Sequence, residues 1–124
     1  MKSGALRGEF VAKSKIPGPL ERRHLIEREL SADRALALAE AYLEQGRAVE
    51  AVEFLVKAEA SERLAELRRN AIAAGDVFLL RALAEAMEDP PEREEWAALA
   101  TAAAAAGKDR YAAEGGRQAE RGED

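Results

Sequence analysis

The chain is expected to be all-α, built from about three antiparallel helix pairs behind an N-terminal helix or arm. Three observations predict this. Alanine supplies 29 of the 124 residues and β-branched residues are scarce, so helix propensity is high almost throughout. No run of alternating Val, Ile, Thr or aromatic residues marks a strand. Finally, one apolar-x2-Leu frame recurs eleven residues before three glycines: Ala35 and Leu38 before Gly46, Leu64 and Leu67 before Gly75, Trp96 and Leu99 before Gly107. The glycines are 29 and 32 residues apart.

Residues 1–19 form a basic arm. It holds Gly4, Gly8, Pro17, Gly18 and Pro19, and carries +3 from Lys2, Arg7, Lys13 and Lys15 against Glu9. Phe10, Val11 and Ile16 are its apolar anchors. The plain reading is a mobile arm partly laid over the first hairpin; the sharper one is a peptide-like arm that docks on a partner or a second copy. Pro19 suits the first turn of a helix, which is expected over Leu20–Leu30. Leu20, Ile26 and Leu30 would face inward, leaving Glu21, Arg22, Arg23, Glu27 and Glu29 in water. His24 has no second ligand or carboxylate pattern beside it and reads as a surface or half-buried histidine.

The helical-repeat domain is expected over 20–114, with repeats at about 31–60, 61–91 and 92–114. In the first, Ser31 or Asp33 can cap a helix whose inner face is Ala35, Leu38, Ala39 and Tyr42. Gly46 can take the left-handed conformation that ends it. The return helix has an inner stripe of Ala48, Ala51, Val52, Leu55 and Ala58, with Arg47, Glu50, Glu53 and Lys57 in water. Ser61 can cap the next helix. In the second repeat, Val77, Leu80, Leu83, Ala84 and Met87 form the stripe, and Phe78 and Leu79 widen it, which predicts a central helix covered on both sides. Asp89-Pro90-Pro91 ends it. In the third, Glu92, Glu94 and Glu95 favour the helix dipole and Trp96, Leu99, Ala100 and Ala103 face inward. Beyond Gly107 the partner helix looks weak, since Gly115-Gly116 should break or fray it, and 115–124 is expected to be a disordered tail. That would leave Trp96, Leu99 and Tyr111 poorly covered, which predicts a homodimer through the third repeat or by exchange of the arm.

The spacing Ala35, Leu38, Ala39, Tyr42, then Ala51 and Leu55, with Gly46 at the turn, resembles the tetratricopeptide repeat. The tryptophan position of that pattern holds Ala35, and Ser61 follows Ala60 where the closing proline would stand. The resemblance implies an α-α superhelix and a ligand path along the face made by the first helix of each pair. Carried over by position, that path is Asp33, Leu36, Glu40, Leu43 and Glu44, then Glu62, Ala65, Arg69, Ile72 and Ala73, then Glu94, Ala97 and Thr101. Those singled out for partner binding are Asp33, Leu36, Glu40, Leu43, Glu44, Arg69, Ile72 and Thr101. Some members of the family hold a C-terminal carboxylate here with Lys, Asn and Arg. Leu36 and Glu40 occupy the positions where Lys and Asn would be needed, so such a clamp is not expected.

Composition narrows the function. There are no cysteines and a single His, which removes thiolate zinc sites, two-His zinc sites and cysteine nucleophiles. The acidic pairs Glu50/Glu53 and Glu92/Glu95 read as a solubilising face, and no glycine-rich phosphate loop follows a strand. No catalytic residue, cofactor, metal or small-molecule substrate is therefore expected. The net charge of −5 disfavours a nucleic-acid surface. A signal peptide and a membrane span are both missing from the pattern, so a cytoplasmic location is the default. The expected function is a non-catalytic module that binds a protein segment or self-associates. The alternative is a nucleic-acid-binding hairpin module that uses the basic arm and Arg22-Arg23 for phosphate contacts.

Overall fold

Helix propensity, capping and left-handed turn residues together set the boundaries of seven helices among the described residues. The computed structural model describes residues 16–27 and 30–121, so the expectations for the arm up to residue 15 fall outside the described residues. The helices are α1 (Pro19–Glu27), α2 (Ala32–Glu44), α3 (Ala48–Lys57), α4 (Ser61–Ala74), α5 (Val77–Met87), α6 (Arg93–Ala105) and α7 (Asp109–Arg121), with no strand among the described residues. They fall into two compact units, Met1–Ala60 and Ser61–Asp124.

In the first unit, Pro19 opens α1 as its fixed φ favours. The inward residue is Leu25, at 3% exposure, whereas Leu20 is 68% exposed, which corrects the expected inward face. The two are five residues, or about 140°, apart around a helix, so burying one turns the other outward. Ser31 caps α2, its Oγ accepting from the Arg34 N–H at 3.2 Å. Ala35, Ala39 and Tyr42 on α2 are buried, and so are Ala51, Val52, Phe54 and Leu55 on α3. The small alanines let the two helices approach, and the Tyr42 and Phe54 rings stack at 5.6 Å and 13°. Phe54 lies outside the expected stripe. It is buried because α3 is covered on two flanks: by α2, and by the Arg22 guanidinium of α1, 5.5 Å from the Phe54 ring centroid.

In the second unit, Asp76 caps α5 through the Leu79 N–H at 3.1 Å, and Glu92 and Glu95 form a capping box on α6. Ser61, expected as a cap, is the first residue of α4. The core comprises Leu64, Leu67 and Ala71 of α4, Val77, Leu79, Leu80, Leu83 and Ala84 of α5, and Trp96, Leu99 and Ala103 of α6. Leu79, expected to widen the covered face of α5, is buried, whereas Phe78 is 63% exposed and meets the Tyr111 ring edge-on at 5.9 Å. Gly75 has φ +69°, and a Cβ placed on it would lie 2.6 Å from the Ala103 Cα. Glycine therefore meets two demands at once there, a left-handed turn and a close approach of α6.

α7 is the largest departure from expectation. It runs unbroken through Gly115-Gly116 to Arg121, where a frayed helix and a tail were expected. The reason is packing: Gly115 is buried against α6, and a Cβ there would stand 3.1 Å from both the Ala100 Cβ and the Trp96 carbonyl oxygen. The glycine is a contact surface, so tertiary packing outweighs its poor propensity. Trp96 and Leu99 are consequently covered, at 6% and 0% exposure, which removes the ground on which a homodimer was expected.

Five helices end alike. Gly46, Glu59, Gly75, Glu88 and Gly107 all have positive φ, between 54° and 77°. After each, an N–H reaches back five residues: Arg47 to the Tyr42 carbonyl, Ala60 to Leu55, Asp76 to Ala71, Asp89 to Ala84 and Lys108 to Ala103, at 2.8–3.1 Å. This is the Schellman closure. α5 thus stops at left-handed Glu88, ahead of the proline pair.

Candidate functional site

The side chains expected to line a partner path lie on α2, α4 and α6, on the flank opposite each helix's buried line. On α2, Asp33, Leu36 and Glu44 are exposed, while Glu40 and Leu43 are half-buried. In the second unit, Arg69 on α4 and Thr101 on α6 are exposed and Ile72 is half-buried. The structure brings Arg69, Ile72 and Thr101 onto two helices that pack directly on each other. The Thr101 hydroxyl donates to the Ala97 carbonyl at 3.2 Å, so it is turned back on its own helix. The remaining residues of the path, Glu62, Ala73, Glu94 and Ala97, are exposed, and Ala65 is half-buried.

A shallow cleft of about 420 Å3 lies on α2, lined by Arg34, Ala37, Leu38, Glu40, Ala41 and Glu44. It shares Glu40 and Glu44 with the expected path. The other four were missed because Leu38 was assigned to the inner face, where it is only half-buried. A signal was present: Arg34, Ala37, Leu38 and Ala41 stand at i, i+3, i+4 and i+7, a second stripe on the same helix.

The strongest electrostatics are structural. Arg68 on α4 is 7% exposed, and its Nε and Nη2 donate to the Glu95 carboxylate of α6 at 3.0 and 2.9 Å. These hydrogen bonds hold the Glu95 carboxyl below the ordinary carboxylate range and raise the guanidinium. Glu114 of α7 accepts from Gln118, Arg117 and Arg81, which draws its carboxyl down to about 2. The Arg81 guanidinium also lies 5.8 Å from the Trp96 ring centroid. Both networks tie helices together and offer no proton-transfer pair. Among the described residues no group of three or more His, Asp or Glu is placed to hold a metal ion, and His24 is exposed. Among them also, no helix is long and apolar enough to cross a membrane.

No protein-family model matches the chain, and no curated protein or solved structure matches it at a significant level.

Proposed function

We propose that the chain is a non-catalytic, tetratricopeptide-like helical-repeat module that binds a protein segment or self-associates. One observation carries this reading. The left-handed turn residues recur at the same period, Gly46 to Gly75 and Glu59 to Glu88, each 29 residues apart. Buried positions recur with them: Ala35 with Leu64, Ala39 with Arg68, Tyr42 with Ala71, Ala51 with Leu80, Phe54 with Leu83 and Leu55 with Ala84. A repeated hairpin with the same buried positions is the unit of a helical-repeat stack, whose outward helix faces are free to take a ligand. The period is shorter than the usual ~34 residues of the tetratricopeptide form, so a relative of that repeat fits as well.

Partner contacts are assigned to Leu36, Glu40, Leu43 and Glu44 with Asp33 on α2, and to Arg69, Ile72 and Thr101 on α4 and α6. The test is affinity capture from the native cell extract, combined with sedimentation of the purified chain. Leu36→Glu and Arg69→Glu are exposed changes that leave the helical spectrum intact. The expected result is that a protein, or a second copy, retained by the wild type is lost from at least one variant. Retention unchanged in both, or nothing retained by the wild type together with a monomer mass, overturns the reading.

A further inference from the structure

The turn between α2 and α3, the start of α3 and one flank of α1 border an open cleft of about 430 Å3, lined by Pro17, Pro19, Arg22, Arg23, Ile26, Arg47 and Glu50. Three of its four charged residues are arginines, in a chain whose net charge is −5. The fourth, Glu50, is already spoken for: Arg47 donates to it from Nε at 2.6 Å and from Nη2 at 2.7 Å. That bidentate pair is close to neutral, so the charge facing the cleft comes from Arg22 and Arg23.

Arg22 is held in place. Its Nη2 donates to the Glu50 carbonyl at 2.7 Å, and its guanidinium lies 5.4 Å from the Tyr42 ring centroid and 5.5 Å from that of Phe54. The Glu53 carboxylate stands 3.8 Å from Nη1 and is itself well exposed, and the Glu50 carboxylate also feels the Arg22 charge. The Arg22 Nε is buried and has no hydrogen-bond acceptor among the described residues. Arg23 is exposed and has no ionic partner among the described residues. The prolines and Ile26 supply low-dielectric walls that weaken solvent screening around this charge.

We infer that this cleft is a binding site for a single oxyanion, a phosphate or carboxylate group carried by a small molecule or a side chain. A preorganised guanidinium, a second arginine one residue on with no ionic partner among the described residues, and apolar walls are the components of such a site. The volume exceeds that of one oxyanion, which leaves room for the group that bears it. The site is separate from the faces assigned to protein partners and does not depend on that assignment.

The test uses the whole chain and amide NMR, titrated with sodium phosphate and, separately, with sodium acetate at constant ionic strength. At least one of them produces saturable shifts confined to the amides around Arg22, Arg23, Arg47 and Glu50. Phosphate alone, or acetate alone, identifies the group accepted; both together mean that any oxyanion is taken. Arg23→Glu, an exposed substitution that breaks no ion pair among the described residues, weakens the binding about ten- to a hundredfold through loss and reversal of one charge. The rest of its spectrum is unchanged. Absence of saturation with either salt, or equal saturation in Arg23→Glu, overturns the proposal.

Discussion

Among the described residues of the second unit Arg68 is the one charged residue in the buried core, and its environment explains how packed helices tolerate it. Both of its outer nitrogens face acceptors: Glu95 takes two hydrogen bonds, and Asp89 stands 3.7 Å from Nη1. Removing the counter-charge strands a desolvated guanidinium, which costs more than the pair is worth on its own. Glu95→Gln can still accept from the Glu92 N–H, so the helix cap survives and the change isolates the charge. The expected loss is about 1.5–3 kcal/mol at neutral pH, read by thermal unfolding. The pH dependence has a definite sign. The folded carboxyl lies below its ordinary value of 4.5, so its contribution is fully present above that value and fades as pH falls through the folded one. The stability gap between wild type and Glu95→Gln should therefore stay constant over about pH 5 to 8 and close in more acid solution. A gap that persists unchanged in acid would show that the cost comes from the amide's shape.

At the scale of the helix, α7 separates propensity from packing within two adjacent residues. Both glycines weaken an isolated helix by roughly 0.5–1 kcal/mol relative to alanine. A Cβ on Gly116 would meet nothing within 4 Å, whereas one on Gly115 meets backbone and side chain of α6 at 3.1 Å. Gly116→Ala should accordingly raise the melting temperature by the propensity gain alone. Gly115→Leu should lower the melting temperature, at a stability cost of about 1–3 kcal/mol, because α7 has to lift off α6 to admit the side chain. If both substitutions shift stability in the same direction, α7 is not seated on α6 through Gly115. The same contrast explains what was legible in the sequence. Gly46, Gly75 and Gly107 could be read as turns because a left-handed residue without a Cβ has a local signature. Glu59 and Glu88 make the same turn without that signature, so their spacing of 29, equal to that of Gly46 and Gly75, showed only once their φ values were known. Phe54 and Gly115 were misread for one reason: their role is set by a neighbour distant in sequence, Arg22 for the first and Trp96 with Ala100 for the second. The candidate partner path was legible only as a pattern of positions. Of the proposed oxyanion cleft only Arg22-Arg23 was legible, as a pair suited to phosphate contacts; nothing local in the sequence places Arg47 beside them.

At the scale of the molecule, the division at residue 60 makes a claim about independence. The second unit contains its own core of apolar residues from α4, α5 and α6. It also contains both partners of its main polar ties: Arg68 with Glu95, Arg81 with Glu114, and the Lys108 ammonium donating to the Ala74 carbonyl at 2.8 Å. A chain of about 60 residues buries only ~60% of its surface on folding, so such a unit is stable by a narrow margin. Here the margin rests on close backbone packing, Gly75 on Ala103 and Gly115 on Ala100, which alanine-rich helices permit. We therefore expect a fragment spanning 61–124 to fold alone. Trp96 is the chain's single tryptophan and is 6% exposed, so its emission reports on this core without ambiguity. The fragment should show a helical far-ultraviolet spectrum, blue-shifted tryptophan emission and one cooperative thermal transition, at a temperature below that of the whole chain. Emission typical of tryptophan in water, with a gradual melt, would mean that the second unit lacks a self-sufficient core and that the boundary at residue 60 does not separate folding units.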